Sequence, residues 1–265
     1  MKIALCIKQV PDTTDIKWTE NNTIQREGVE SVINPFDIYA TELALDIKSK
    51  KPNTTITVFT MGPDQAKNML RKVLALGCDD AVLISDRKFA GADTYSTGKT
   101  ISKAIQTVLA DFDLVVCGQF AVDGDTAQTG PIIANFLDIP QVTYVKDFVE
   151  INDKKLILSR ELEDGVEKVS VELPTLICVL QKDSEPKRVT IGGIIEASKK
   201  EIKTVSMDDI GLTTEVVGLK GSPTYVSRAF RNISTHNAQK HKLNLEESIN
   251  LLNQKFIDLG IKHGN

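Results

Sequence analysis

Short runs of apolar, β-branched residues recur along the first half of the chain, each followed by a stretch of helical periodicity. This alternation constrains the fold more than any other feature. Residues 2–8, 54–60, 81–84 and 114–117 read as buried strands. Between the first two, Asn34-Pro35 opens a helix, with Asn as N-cap and Pro at the first helical position. Its apolar stripe is Ile38, Leu43, Leu45 and Ile47. Gly62-Pro63-Asp64 starts a second helix that Gly77 stops. A third is expected over about 94–110, and a fourth over about 126–137, interrupted or bent at Pro131. Such alternation specifies an α/β fold: a doubly wound, mostly parallel sheet, Rossmann-like or flavodoxin-like, in three layers. Ligands in these sheets bind beyond the C-terminal strand ends. That gathers residues 9–12, 60–63, 89–97 and 118–129 around one crevice.

The pattern changes over residues 141–179. Strand-like runs at 142–148, 156–158, 166–171 and 176–179, with turns at Asn152-Asp153 and Glu163-Asp164-Gly165, extend the sheet with antiparallel members. A small hairpin is expected over 15–25, turning at Asn21-Asn22. Residues 188–200 read as a helix and 201–221 as a linker-like arm. Asn244 and Glu247 form a capping box before a helix over 244–259 that Gly260 ends. Leu245, Ile249, Leu252, Phe256 and Leu259 make one apolar seam along it. That seam must bury itself on its own domain or on another subunit.

Composition excludes several functions. The 32 Lys and Arg against 36 Asp and Glu give a net charge of −4, unsuited to generic nucleic-acid binding. Aromatic residues are 5%, with Trp18 the single tryptophan, so base-stacking platforms are not expected. No stretch reaches the ~20 apolar residues of a membrane span. The apolar run at residues 3–7 is too short for a signal-peptide core. A cytoplasmic protein without membrane insertion is the expectation. Cys6, Cys78, Cys117 and Cys178 form no CxxC pair and read as buried reduced thiols. His236, His241 and His263 lack the helical spacing of a metal pair, so no metal is expected.

No GxGxxG or GxSxG is present. Gly91 and Gly98-Lys99-Thr100 imitate a phosphate-binding P-loop, but their glycines stand too far apart and the second falls inside a helix. The informative segment is Gly118-Gln-Phe-Ala-Val-Asp-Gly-Asp-Thr-Ala-Gln-Thr-Gly-Pro131, which follows a strand and opens a helix. Gly124, Ala127 and Gly130 allow close backbone approach. Thr126, Gln128 and Thr129 offer donors beside the free N–H groups of a helix start, a place suited to phosphate or pyrophosphate. Asp123 and Asp125 oppose an anion and must point away, to cap the helix or bond a ribose hydroxyl. An ordinary polar, capped βα loop is the alternative.

At these residues the chain resembles the beta subunit of electron-transferring flavoproteins, over essentially its whole length. The resemblance is carried by Cys6-Ile-Lys8-Gln-Val-Pro-Asp12, Asn34-Pro-Phe-Asp37, Met61-Gly-Pro63, Ala92-Asp93-Thr94 and the 118–131 loop. Arg160-Glu-Leu-Glu-Asp-Gly-Val-Glu167, followed by Leu173-Pro-Thr-Leu-Ile-Cys178, is a long family-specific pattern, with Leu158 departing from the usual Ile, Val, Ala or Gly. The resemblance implies an adenine-nucleotide site built from Cys6, Lys8, Asn34, Asp37, Met61, Asp93, Thr94, Gly118, Gln119, Asp123, Gly124, Asp125, Thr126, Ala127, Gln128 and Thr129. One class of the family holds AMP there. Another holds a second FAD that takes hydride from NADH and splits the electron pair. The AMP class tends to read Asp-Asp-Asp-x-Asn-Gln-Thr-Gly, whereas this chain reads Asp123-Gly-Asp-Thr-Ala-Gln-Thr-Gly130 and looks like the bifurcating class. The arm Gly218-Leu-Lys-Gly-Ser-Pro-Thr224 looks like that class as well.

The resemblance also implies partners. Ile191 matches the hydrophobic anchor of a recognition segment for a dehydrogenase, with Ile194 and Ile195 beside it; a core-facing role is the alternative. Glu161 matches a carboxylate that influences the mobile flavin domain, or is a surface charge near a turn. The expected organisation is a nucleotide-binding domain over 1–185, a recognition segment over 186–200, and an arm and helix over 201–265 that pack on the alpha subunit. The expected activity belongs to a complex: FAD (alternatively AMP), NAD(H) as substrate, and electrons exchanged with ferredoxin and an acyl-CoA or lactate-type dehydrogenase. The flavin would carry the chemistry, with no catalytic side chain. A nucleotide-binding module without a redox role is the reading from another class.

Overall fold

A computed structural model describes residues 1–12, 31–152, 154–182, 185–227 and 238–261. The expected hairpin over 15–25 and Trp18, His236 and His263 lie outside them. The chain forms two compact units, Met1–Ala229 and Phe230–Asn265.

In the first unit the strands are β1 (Lys2–Cys6), β2 (Gln9–Pro11), β3 (Ser31–Ile33), β4 (Thr55–Met61), β5 (Asp80–Ile84), β6 (Leu114–Gly118), β7 (Gln141–Ile151), β8 (Lys155–Leu162), β9 (Gly165–Glu172), β10 (Thr175–Val179) and β11 (Ile202–Val205). The helices are α1 (Pro35–Lys50), α2 (Lys67–Leu76), α3 (Thr94–Val108), α4 (Thr129–Leu137) and α5 (Ile191–Lys199). Among the described residues a nine-stranded sheet has the order β11-β5-β4-β1-β6-β10-β7-β8-β9. Pairing is parallel from β11 to β7 and antiparallel over β7-β8-β9. β2 and β3 form a separate antiparallel pair.

The strand residues at the centre are buried on both faces, as a parallel sheet covered by helices requires. One face packs Leu43 and Ile47 of α1, Leu70 and Val73 of α2 and Ala197 of α5 on Ile3, Leu5, Val58 and Val116. The other packs Ile101 and Ile105 of α3 and Ile133 and Leu137 of α4 on Ala4, Phe59 and Val115. The three-layer architecture expected from the alternation is therefore present.

Two expectations are corrected. Residues 201–221 are not a free linker: β11 joins the sheet edge beside β5, and Met207, Ile210 and Val217 are buried in the core that α3 and α4 cover. The fourth helix starts at Thr129, not at 126. Asp125 (φ 51°) and Ala127 (φ 54°) are left-handed, which breaks any helix there, and Pro131 falls in the first turn of a helix that runs on to Leu137.

In the second unit, α6 (Leu245–Asp258) begins with the expected capping box: Glu247 N–H donates to Asn244 Oδ1 at 2.9 Å and Asn244 N–H to Glu247 Oε2 at 3.3 Å. Among the described residues no helix is long and apolar enough to cross a membrane.

Candidate nucleotide site at the sheet switch point

From β1 the chain runs outward to β4 and β5 on one side; from β6 it runs to β7, β8 and β9 on the other and returns as β10 between β6 and β7. The strand order therefore reverses between β1 and β6, and the crevice beyond their C-terminal ends is the natural ligand position. Asp37, in the first turn of α1, is buried between those two ends. Its Oδ2 accepts from Lys8 N–H at 2.7 Å and its Oδ1 from Gly118 N–H at 3.1 Å. One carboxylate thus joins β1, α1 and β6. Burial pushes its pKa up to about 7, against the opposing pull of Lys8 N–H, the Asn34 side chain, Gly118 N–H and the Lys8 charge. Gly118 is required for this approach: a Cβ there would lie 2.2 Å from Asp37 Oδ1 and 2.8 Å from Phe36 Cβ.

Asn34 occupies the expected N-cap position but makes no capping bond with its side chain. Its Nδ2 donates to Phe120 O at 2.9 Å and its Oδ1 accepts from Val122 N–H at 3.1 Å. The reason is satisfaction of backbone groups: the loop after β6 has no ladder partner, and the Asn34 amide supplies one donor and one acceptor. Lys8 Nζ pairs with both Asp123 oxygens, at 2.6 and 2.8 Å. Both oxygens of Asp123 are thereby engaged by one cation. Phe36 and Phe120, with ring centroids 4.1 Å apart, close the same contact between α1 and the loop.

Gln119 is 3% exposed and is also engaged within the protein. Its Oε1 accepts from Tyr144 N–H at 2.7 Å, and its own N–H donates to Val179 O at 2.9 Å. Tyr144 sits at a bulge of β7 with φ 59°, an unusual conformation for an aromatic residue in a strand. Sequence reading missed this contact, because neither the bulge nor the left-handed tyrosine has a local signal.

On the opposite wall, Thr94 Oγ1 donates to Gln128 Oε1 at 2.9 Å, joining the start of α3 to the loop before α4. Asp93 caps α3 by accepting from Ser96 N–H at 2.9 Å. Burial opposes ionisation of Asp93, but bonds from Ser96 and from Thr224 and Ser222 outweigh it and hold the carboxyl below its ordinary range. Met61 ends β4 and packs partly buried against the core beneath.

Between Asp123 and Thr129 the backbone alternates between left- and right-handed angles. Left-handed Ala127 precedes Gln128 at φ −103°, ψ −27°, and such alternation turns successive N–H groups toward one point. No side chain caps α4, so its first N–H groups remain available. Gly124, Asp125, Thr126 and Gln128 are exposed, and a Cβ added at Gly124 would meet nothing within 4 Å. Beneath the loop Gly130 packs on Cys178: a Cβ would lie 2.3 Å from its Sγ. Cys6, Cys117 and Cys178 stand in register on neighbouring strands, and all four cysteines are buried and free. Contact with the Cys6 thiol, then burial, pushes Cys117 well up, and burial pushes Cys178 up to about 12. Both stay protonated at neutral pH, which makes them packing groups rather than nucleophiles.

The four residues assigned to partners lie apart from these loops. Glu161 is on β8, half exposed, with Lys146 Nζ at 2.9 Å. Ile191, Ile194 and Ile195 are on α5 and are 81%, 52% and 51% exposed, so the core-facing alternative does not hold. α5 is held close to α2: a Cβ at Gly193 would lie 2.2 Å from Ala75 O. Thr190 caps the helix through Gly193 N–H at 3.0 Å.

Residues 21–230 match the electron transfer flavoprotein domain. The caffeyl-CoA reductase-Etf complex subunit CarD of Acetobacterium woodii is 47% identical, covering 87% of each chain. The electron transfer flavoprotein subunit beta of Thermoanaerobacterium thermosaccharolyticum is 46% identical over 94% of this chain and 98% of its own. The acryloyl-CoA reductase electron transfer subunit gamma of Anaerotignum propionicum is 38% identical over 97% of this chain and 100% of its own. With a family match across most of its length and relatives of this similarity, the chain belongs to the electron transfer flavoprotein family as a beta subunit.

Proposed function

We propose that the crevice between β1 and β6 holds the adenine and pyrophosphate of an FAD, and that the chain works with an alpha subunit in an NAD(H)- and ferredoxin-linked complex. That complex divides electrons between ferredoxin and a partner dehydrogenase of acyl-CoA or lactate type, or combines them in the reverse direction. The observation that carries this reading is the open, uncapped turn at Gly124–Thr129. Small residues leave room beside the first N–H groups of α4, and the donor set of Thr126, Gln128, Thr129 and backbone amides suits a pyrophosphate. The names of two relatives, subunits of caffeyl-CoA and acryloyl-CoA reductase systems, support a reductase complex.

When bound, the flavin supplies the redox chemistry, exchanging hydride with NAD(H) and passing on single electrons. The residues of this chain bind and orient. Lys8 keeps Asp123 turned from the phosphates, Asn34 fixes the loop that bears them, and Thr94 and Gln128 set the distance between the crevice walls. The exposed isoleucines of α5 dock the dehydrogenase, Glu161 faces the mobile flavin domain, and the α6 seam packs on the alpha subunit. The protein acts in the cytoplasm, where its thiols stay reduced.

The test is cofactor stoichiometry. The co-expressed alpha–beta complex is denatured and its FAD and AMP are separated and quantified. Two FAD and no AMP per complex are expected. One FAD and one AMP would overturn the proposal and leave a beta nucleotide that is structural.

A further inference from the structure

Both oxygens of Asp93 are occupied by the protein, and one of them is held by Thr224, a residue outside the crevice loops. Oδ1 accepts from Ser96 N–H at 2.9 Å. Oδ2 accepts from Thr224 N–H at 3.0 Å and from the Thr224 hydroxyl at 2.7 Å. The backbone of the same residue takes part: Asp93 N–H donates to Ser222 Oγ at 2.8 Å, and Ser222 donates onward to Gly218 O at 2.7 Å. Residues 218–224 are thus fastened to one turn of chain more than a hundred positions earlier. Their seat is close-packed. Gly218 is left-handed at φ 57°, and a Cβ there would lie 2.0 Å from Lys88 O. Leu219 N–H donates to Ala90 O at 3.1 Å, and Val217 is buried.

We infer that Asp93 is a positioning residue that clamps residues 218–224 to the first turn of α3, so that this segment and the Thr94–Gln128 wall of the crevice form one mechanical unit. Asp93 fixes the first turn of α3 by capping it. The next residue, Thr94, bonds Gln128 in the loop before α4. Release of residues 218–224 therefore frees Asp93 Oδ2, loosens the turn that holds Thr94, and widens the gap between Thr94 and Gln128. By reciprocity, any ligand that needs the closed wall tightens the clamp. The link to a nucleotide rests on the proposed function; the clamp itself does not.

Thr224 is exposed and belongs to no loop of the crevice, so Thr224→Val removes one hydroxyl without disturbing a core. Asp93→Asn keeps an oxygen for Ser96 N–H while turning an amide N–H₂ against Thr224 N–H. Hydrogen exchange is measured on the alpha–beta complex stripped of nucleotide. In both variants exchange rises about tenfold at residues 218–224 and also at 94–98 and 118–129, and Thr224→Ser restores the wild-type rates. A rise confined to 218–224 would overturn the inference and leave a local staple. Affinity for added FAD and AMP is measured in parallel, and falls up to about tenfold in Thr224→Val. If wild type takes up neither nucleotide while the variants still loosen residues 118–129, the proposed function fails and the clamp stands. If wild type binds nucleotide and Thr224→Val changes neither affinity nor exchange at 118–129, the clamp fails and the proposed function stands.

Discussion

The crevice beyond β1 and β6 and the exposed face of α5 are built in opposite ways. In the crevice, side chains far apart in sequence hold one another: Lys8 with Asp123, Asn34 with Phe120 and Val122, Asp37 with Gly118, Thr94 with Gln128. On α5 the three isoleucines are exposed, while the backbone beneath them is locked by Gly193 against Ala75 O. The first arrangement fixes positions to within a hydrogen bond, as a small ligand demands. The second presents apolar area on a rigid base, as a protein partner demands. Mutations should separate the two.

The largest effect is expected from Gly118→Ala. The added Cβ drives Phe36 and Asp37 away from the strand end, and overpacking of this severity costs roughly 3 kcal/mol or more. Urea unfolding should show the loss, and nucleotide uptake by the complex should fall with it. Gly193→Ala is the matching lesion on the other region. Unfolding should show a loss of roughly 2 kcal/mol, with dehydrogenase coupling reduced and nucleotide content unchanged. If both variants lose nucleotide equally, the two regions are not independent.

A pH experiment sharpens the comparison further. The Asp37 carboxyl titrates from 3.8 in the unfolded chain to about 7 in the fold. The fold favours the protonated form, so its contribution is fully present below pH ~4 and is lost as pH rises through about 7. That loss is of order 4 kcal/mol at most. Asp37→Asn should remove this part of the pH dependence, read as the difference in urea midpoints between wild type and variant at pH 4.5 to 7.5 (roughly the window set by the linkage). No residue of α5 should change it.

Smaller effects on stability carry the clearest functional signatures. Lys8→Met breaks a half-exposed ion pair, which costs within ~1 kcal/mol of stability. It frees Asp123 to face the anion site, so nucleotide affinity should drop about tenfold by titration. Ile191→Ser should leave stability within ~0.5 kcal/mol and nucleotide content untouched. Electron transfer to the partner dehydrogenase should fall about tenfold or more, the effect expected of a hot spot.

Elements with local signals were legible in the sequence. Pro35 at the start of α1, Gly77 after α2 and the Asn244–Glu247 box each act within a few residues. So does the alternation that fixed the three layers. Strand β11 was not legible: Ile202–Val205 is four residues long, and what makes it a strand is the edge of β5, far away in the chain. The start of α4 was misplaced because two non-glycine residues adopt left-handed angles that their own types do not announce. The crevice loops were identified, but not how they are held. Asn34 reads as a cap by its position, and only the distant loop explains why its amide turns to Phe120 and Val122. Asp93 reads the same way: its cap is local, its clamp on Thr224 is not.

The central claim is that a nucleotide lies at the switch point between β1 and β6. The most direct test is hydrogen exchange of the alpha–beta complex with and without its beta-bound nucleotide. Protection is expected at residues 8–12, 34–37, 93–98 and 118–129, with α5 unchanged. Protection elsewhere in this chain, with residues 118–129 unaffected, would contradict the account.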